Sequence, residues 1–251
     1  MLNPKVSVIL ITYNEEENIN NCLSSVQWAD EIIVVDSYSK DNTVTIAQTY
    51  TNCKVISAPW KGFVPAKQTA LEHTTNDWVL WIDADEMVTK ELRYEISYLL
   101  QMESGLIAFD MPRRTFFMNQ WIKPWYPGRV TRLFDKRFCR FNKNILHEGV
   151  EIKDRQCLGH LHADLLHYSY NSLNQYFAKM NTYGKYGAEE MVRRGKKFQS
   201  WKLILNPISS FIQFYIFKKG FMLGKSGLIL AIGGAYSNFI KYANFYYLVK
   251  K

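Results

Sequence analysis

The chain is poor in cysteine, has almost no acid in its last third and lacks any glycine-rich nucleotide loop; each shortage removes a class of protein. Its four cysteines, Cys22, Cys53, Cys139 and Cys157, show no C-x-x-C spacing. That excludes a disulfide framework and a cysteine zinc site, and fits reduced thiols in the cytoplasm. No G-x-G-x-x-G follows the first strand and no G-x-x-x-x-G-K-[ST] occurs, which argues against a dehydrogenase and a P-loop enzyme. A secretory signal is equally absent, because the apolar run Val6 to Ile11 is short and passes at once into Tyr13-Asn14-Glu15-Glu16-Glu17. Nor is there a clean apolar run of about 18 residues. Pro207, Ser209, Ser210 and Gln213 interrupt one stretch, and Ser237, Asn238 and Lys241 interrupt another.

What remains is a 251-residue chain with 47% apolar and 15% aromatic content, enough for a substantial core. Its net charge of +8 is unevenly spread. From Asn171 onward there are 13 Lys and Arg against Glu189 and Glu190 alone, so that segment carries +11 and the first 170 residues carry −3. Helices bearing this excess beside aromatic faces suit the surface of an anionic bilayer. A helical cap or a homo-oligomer interface with a solvated basic face is the other reading of the same residues.

Residues 1–105 alternate strands and helices, the pattern of a mostly parallel sheet flanked by helices. Strands are expected at Val6 to Ile11, Glu31 to Asp36, Lys54 to Ile56 and Trp78 to Ile82. Helices are expected after Asn14, with Glu17 completing a capping pair and Ile19, Leu23 and Val26 as the apolar stripe, at Thr43 to Tyr50 and at Pro65 to His73. Residues 106–170 continue the same domain with a strand at Leu106 to Met111, an aromatic and basic stretch, and Arg129-Val130-Thr131-Arg132-Leu133-Phe134. Period-two alternation there puts Val130, Arg132 and Phe134 on one face. Residues 171–251 read as helices: Ser172 to Arg194, Asn206-Pro207 to Phe217, and Ser226 to Leu248 interrupted at Gly233-Gly234.

In a parallel sheet, ligands bind beyond the carboxyl ends of the strands. Three such ends carry polar groups here: Thr12-Tyr13-Asn14, Asp36 and Asp83-Ala84-Asp85. Residues two apart at a strand end project together, so Asp83 and Asp85 are expected side by side, where a hard cation such as Mg²⁺ or Mn²⁺ relieves their repulsion and holds phosphate oxygens. Of five histidines, His160, His162 and His167 fall within eight residues, but no further ligand completes a tetrahedral zinc site.

The ordered set Pro4-Lys5-Val6-Ser7-Val8-Ile9 with Thr12-Tyr13-Asn14-Glu15, Val34-Val35-Asp36-Ser37 with Asp41-Asn42-Thr43, and Asp83-Ala84-Asp85 resembles the inverting family 2 glycosyltransferases of the GT-A fold. Arg132-Leu133-Phe134 followed by His147-Glu148 is similar to their lipopolysaccharide core glucosyltransferase subgroup. The resemblance implies a Rossmann-like α/β fold with a helical basic C-terminal extension, and a nucleotide-diphosphate sugar donor, UDP-sugar favoured. It places Thr12, Tyr13, Glu15, Asp36, Lys67 and Asp83 at the nucleotide, and Asp85 with a late His167 at Mg²⁺ or Mn²⁺. Glu148 becomes the base that deprotonates the acceptor, with Asp135 and Asp110 as rivals, and Arg129, Arg132 and His147 the contacts to acceptor or diphosphate. A lipid-linked saccharide acceptor at the inner face of the cytoplasmic membrane follows, with no nucleic acid partner. Two other classes compete. A haloacid-dehalogenase-like phosphotransferase also uses D-x-D, but on its first strand and with Thr or Val where this chain has Met87. A non-catalytic basic peripheral membrane protein accounts for the tail but not for the strand-end clusters.

Overall fold

The structure, a computed structural model, describes residues 5–102, 104–142, 149–152 and 154–250. The chain divides into two compact units, one running to Thr115 and resuming over Tyr126–Ser169, the other made of Phe116–Trp125 and the chain from Tyr170 onward.

The first unit is built on β1 (Val6–Thr12), α1 (Ile19–Val26), β2 (Glu31–Asp36), α2 (Thr43–Ala47), β3 (Cys53–Ser57), α3 (Phe63–Glu72), β4 (Trp78–Trp81), β5 (Glu86–Val88), α4 (Lys90–Leu99) and β6 (Ala108–Met111). After β7 (Arg113–Phe117) and β8 (Gln120–Trp121) come β9 (Val130–Asp135), β10 (Arg140–Phe141), β11 (Val150–Glu151), β12 (Leu158–His160) and β13 (Leu165–Tyr170). Seven strands form one sheet in the order β12-β6-β9-β4-β1-β2-β3. It is mainly parallel; β9 alone runs against its neighbours β4 and β6. Nearly every residue of β1 is buried because helices cover both faces. Val8 and Leu10 pack with Leu23 of α1 and Leu92 and Ile96 of α4, while Ile9 packs with Ala70 and Leu71 of α3 on the other side.

Asn14 is not a helix cap. It takes the left-handed conformation at φ 54°, and its side-chain oxygen accepts from the Lys40 N–H at 2.8 Å, so the turn delays α1 until Ile19. The expected stripe survives: Ile19, Leu23 and Val26 are all buried.

The second unit contains the β7–β8 hairpin residues Phe116 and Phe117, paired with Trp121 and Gln120, followed by α5 (Leu173–Arg193), α6 (Lys202–Ile212) and α7 (Lys225–Lys250). Ser172 caps α5, its hydroxyl accepting from the Gln175 N–H at 3.2 Å. Pro207 does not start α6 but sits inside it, and the helix runs on through a π-turn at Gln213–Phe217. Gly233-Gly234 does not interrupt α7. A Cβ on Gly233 would lie 2.1 Å from the Tyr176 ring, so the glycine lets α5 approach α7 until the Tyr176 hydroxyl donates to the Leu230 carbonyl at 2.9 Å. Among the described residues, no helix is long and apolar enough to cross a membrane.

These two neighbouring glycines give opposite expectations. Gly233→Val forces side-chain overlap with buried Tyr176 and should cost at least ~2 kcal/mol in denaturant unfolding. Gly234→Ala meets only the Ser210 hydroxyl at an ordinary 3.6 Å, so the helix should gain up to ~1 kcal/mol.

Candidate active site

Parallel register brings the carboxyl ends of β1, β2 and β4 together, with Thr12 opposite Asp36 and Ile9 opposite Trp81. Asp36 is buried, and both its oxygens are used by Ser39: one accepts the Ser39 N–H at 2.9 Å, the other the hydroxyl at 2.5 Å. Ser39 Oγ in turn accepts from the Asn14 N–H at 2.8 Å. Glu15 donates its N–H to Thr43 Oγ1 at 2.8 Å and accepts from Asn18 at 2.8 Å. Although burial works against it, hydrogen bonds from Thr43 and the Glu16 N–H hold Asp41 below the ordinary carboxylate value. The two loops are thus tied into one rim. Tyr13 and Tyr38 stand open to solvent on it, free to offer ring faces to a base, and the buried Thr12 hydroxyl has no hydrogen-bond partner.

Beneath this rim lies a cationic pair. The β6–β9 ladder slips between Phe109–Leu133 and Asp110–Thr131, leaving Arg132 as the extra residue of a bulge. Such a bulge re-aims a side chain, and here it sends the guanidinium onto the Trp81 ring, 3.4 Å from its centroid. Arg132 donates to Asp83 at 2.8 Å and to Glu86 at 2.6 Å. Lys67 Nζ stands 3.7 Å from the same indole and 3.7 Å from Asp83. Arg113 adds a third cation, 3.5 Å from Glu86. Burial alone would raise the pKa of Asp83; Arg132, Lys67 and His167 outweigh it and hold the carboxyl well below its ordinary range. Burial likewise opposes the Arg132 cation, and Glu86 and then Asp83 push its pKa up instead.

His167 is common to the surroundings of Asp83 and Asp85. The chain turns after β4, with the Glu86 N–H donating to the Asp83 carbonyl at 2.9 Å, and strand alternation ends there. Asp85 faces His167, whose Nε2 lies 3.5 Å from Oδ2, because β13 pairs antiparallel with β5 and sets His167 opposite Glu86. Two ligands about 2.1 Å from one ion stand ~3 to ~4 Å apart, so this pair fits a shared hard cation. Among the described residues no three His, Cys, Asp or Glu side chains form a metal cage. Further coordination positions would fall to phosphate oxygens and water, as is usual for Mg²⁺.

The remaining residues expected at the site scatter. Arg132 is buried and engaged by two carboxylates, so it is a prop for Asp83 rather than a group presented to a diphosphate. Arg129 is bound to Asp110 at 2.6 Å and to the Leu161 carbonyl at 2.7 Å, and His160 shares that acid at 2.8 Å. Asp110 is held below its usual pKa; burial opposes this, and hydrogen bonds from Arg129 and His160 prevail. Asp135 pairs with Trp78 at the start of β4, the far edge of the sheet, and is held by Arg137 at 2.6 Å. His147 and Glu148 lie outside the described residues. Glu86, Trp81 and Arg113 belong to the site without having been expected from the sequence. The signal for Glu86 was its place directly behind the D-x-D.

A mainly parallel central sheet flanked by helices is the GT-A arrangement. The mannosyltransferase PcManGT of Pyrobaculum calidifontis, solved with GDP-Man and Mn²⁺, shares it, with a TM-score of 0.57 and 14% identity over 98% of this chain and 88% of that one. Residues 7–147 match the glycosyl transferase family 2 description. An uncharacterized glycosyltransferase of Rickettsia typhi is 34% identical over 95% of this chain and 86% of its own. The lipopolysaccharide core biosynthesis glycosyltransferase LpsC of Rhizobium meliloti is 29% identical over 96% of this chain and 92% of its own. The chain belongs to glycosyl transferase family 2.

Two stability experiments follow from the buried pair. Arg132→Met strands the fully buried Glu86 without its closest cation and should cost about 3 to 5 kcal/mol in denaturant unfolding. Because the folded pKa of Asp83 is depressed, its contribution is present above the unfolded value near 3.8 and is lost as pH falls through the folded one. Asp83→Asn should therefore lower the melting temperature by a constant amount from neutral pH down to about pH 4.5, with the gap closing only in stronger acid. The effect is moderated by solvent, since the carboxylate is 34% exposed.

Proposed function

We propose that this glycosyltransferase moves a sugar from a nucleotide-diphosphate donor, a UDP-sugar being favoured, to a lipid-linked saccharide of lipopolysaccharide core type, with inversion. The observation that carries it is the acidic cluster at the strand ends, with Asp83 among fixed cations and Asp85 beside His167. Similarity to LpsC supports the acceptor class. The donor's base lies against the Tyr13 and Asp36 rim, with Thr12 and Glu15 shaping it and Asp83 accepting from ribose or base. Lys67, only 3% exposed in its side chain, orients Asp83 from below.

Asp85 and His167 would hold Mg²⁺ or Mn²⁺, which would supply positive charge to a diphosphate leaving group, and electrostatic stabilisation of that kind is often the largest contribution to rate. The acceptor hydroxyl attacks the anomeric carbon from the side opposite the diphosphate, and Glu148 takes its proton. Arg129 and His147 serve the acceptor side. The acceptor's lipid places the reaction at the inner face of the cytoplasmic membrane, where the basic C-terminal unit meets anionic lipid.

Asp85→Ala and chelation by EDTA should each abolish sugar transfer; full activity in EDTA would remove the metal from the account. Glu148→Gln should leave donor affinity nearly unchanged while turnover falls at least ~100-fold. Unaltered turnover would transfer the role to another acid.

A further inference from the structure

The second unit exposes an apolar face that its own packing does not explain. Trp201, Ile204, Leu205 and Ile208 recur at helical spacing along α6, and no residue of that helix is buried. The π-turn adds Phe217, 77% exposed, and in the turn after Lys219 Phe221 is 51% and Met222 72% exposed. An open groove of about 510 Å³ runs along α6, lined by Leu205, Ile208, Ile212 and Phe217 with Ser209 and Gln213. Single exposed apolar residues need no explanation, but a cluster of this kind marks an interaction surface.

Charge selects the occupant. Lys202, Lys218, Lys219 and Lys225 flank the apolar residues in sequence, and no Asp or Glu occurs anywhere from residue 191 to 251. A second copy of the chain would bring the same cations against themselves. Among the described residues no helix is long and apolar enough to cross a bilayer, yet an apolar stripe edged by lysines matches a helix lying in the plane of one. We propose that α6 and the turns through Met222 dock on the surface of an anionic leaflet, with Ile204, Leu205, Ile208, Phe217, Phe221 and Met222 entering its headgroup region and the four lysines meeting its charge. This assigns a surface to the membrane reading above and rests on it.

Co-sedimentation of the full-length protein with phosphatidylcholine vesicles, with and without phosphatidylglycerol, tests the assignment. Binding should require phosphatidylglycerol and weaken at least ~10-fold in about 0.5 M salt. Ile208→Ser/Phe217→Ser/Met222→Ser and, separately, Lys218→Glu/Lys219→Glu should each lose at least ~10-fold in affinity at unchanged melting temperature. Undiminished binding by the apolar triple variant would overturn this surface and leave the membrane reading standing. Absence of wild-type binding would overturn both, while sugar transfer is judged separately by donor titration. A dimer in solution that the triple variant dissolves would overturn the proposal in favour of a second copy.

Discussion

A guanidinium removed from water is costly unless its surroundings replace the lost hydration, and the Arg132 side chain has its surroundings supplied from several elements at once. Trp81 comes from β4, Asp83 and Glu86 from the turn behind it, and the bulge that aims Arg132 from β9. Lys67 of α3 and Arg113 of β7 complete the charge set. Removing Arg132 leaves buried Glu86 without its closest cation, so the turn carrying the D-x-D is held by electrostatics as well as by packing. That turn fixes where both acids point.

The consequence is a division of labour. Asp83 sits among cations and stays ionised, so it serves as a fixed acceptor of hydrogen bonds. Asp85 lies two residues further on, beside a histidine from the antiparallel strand β13.

Much of this was legible in the sequence because it depends on local pattern. Continuous apolar runs leading to Thr12, Asp36 and Asp83 marked the strands and their polar carboxyl ends, since period and turn chemistry are encoded within a few residues. Where long-range geometry decides, the sequence was silent. Alternation could not reveal that a bulge would turn Arg132 inward, nor that the chain would turn between Asp83 and Glu86. Asn14 read as a helix cap because capping and left-handed turns use the same residue type. Gly233-Gly234 read as an interruption of α7, yet the glycine is there for the close approach of Tyr176 from a different helix. Asp135 could not be told from a site residue until its place beside the start of β4 and its ion pair with Arg137 were in view.

The account makes one claim on which the others depend, that a nucleotide-diphosphate sugar binds at the Tyr13, Asp36 and Asp83 edge with a divalent cation at Asp85. Native mass spectrometry of the purified protein against a panel of sugar nucleotides, with Mn²⁺ present or chelated, measures that directly. The account predicts a one-to-one complex with a nucleotide-diphosphate sugar that is strengthened by Mn²⁺, and loss of the Mn²⁺ dependence in Asp85→Ala. Failure of every sugar nucleotide to bind, with or without the metal, would contradict it.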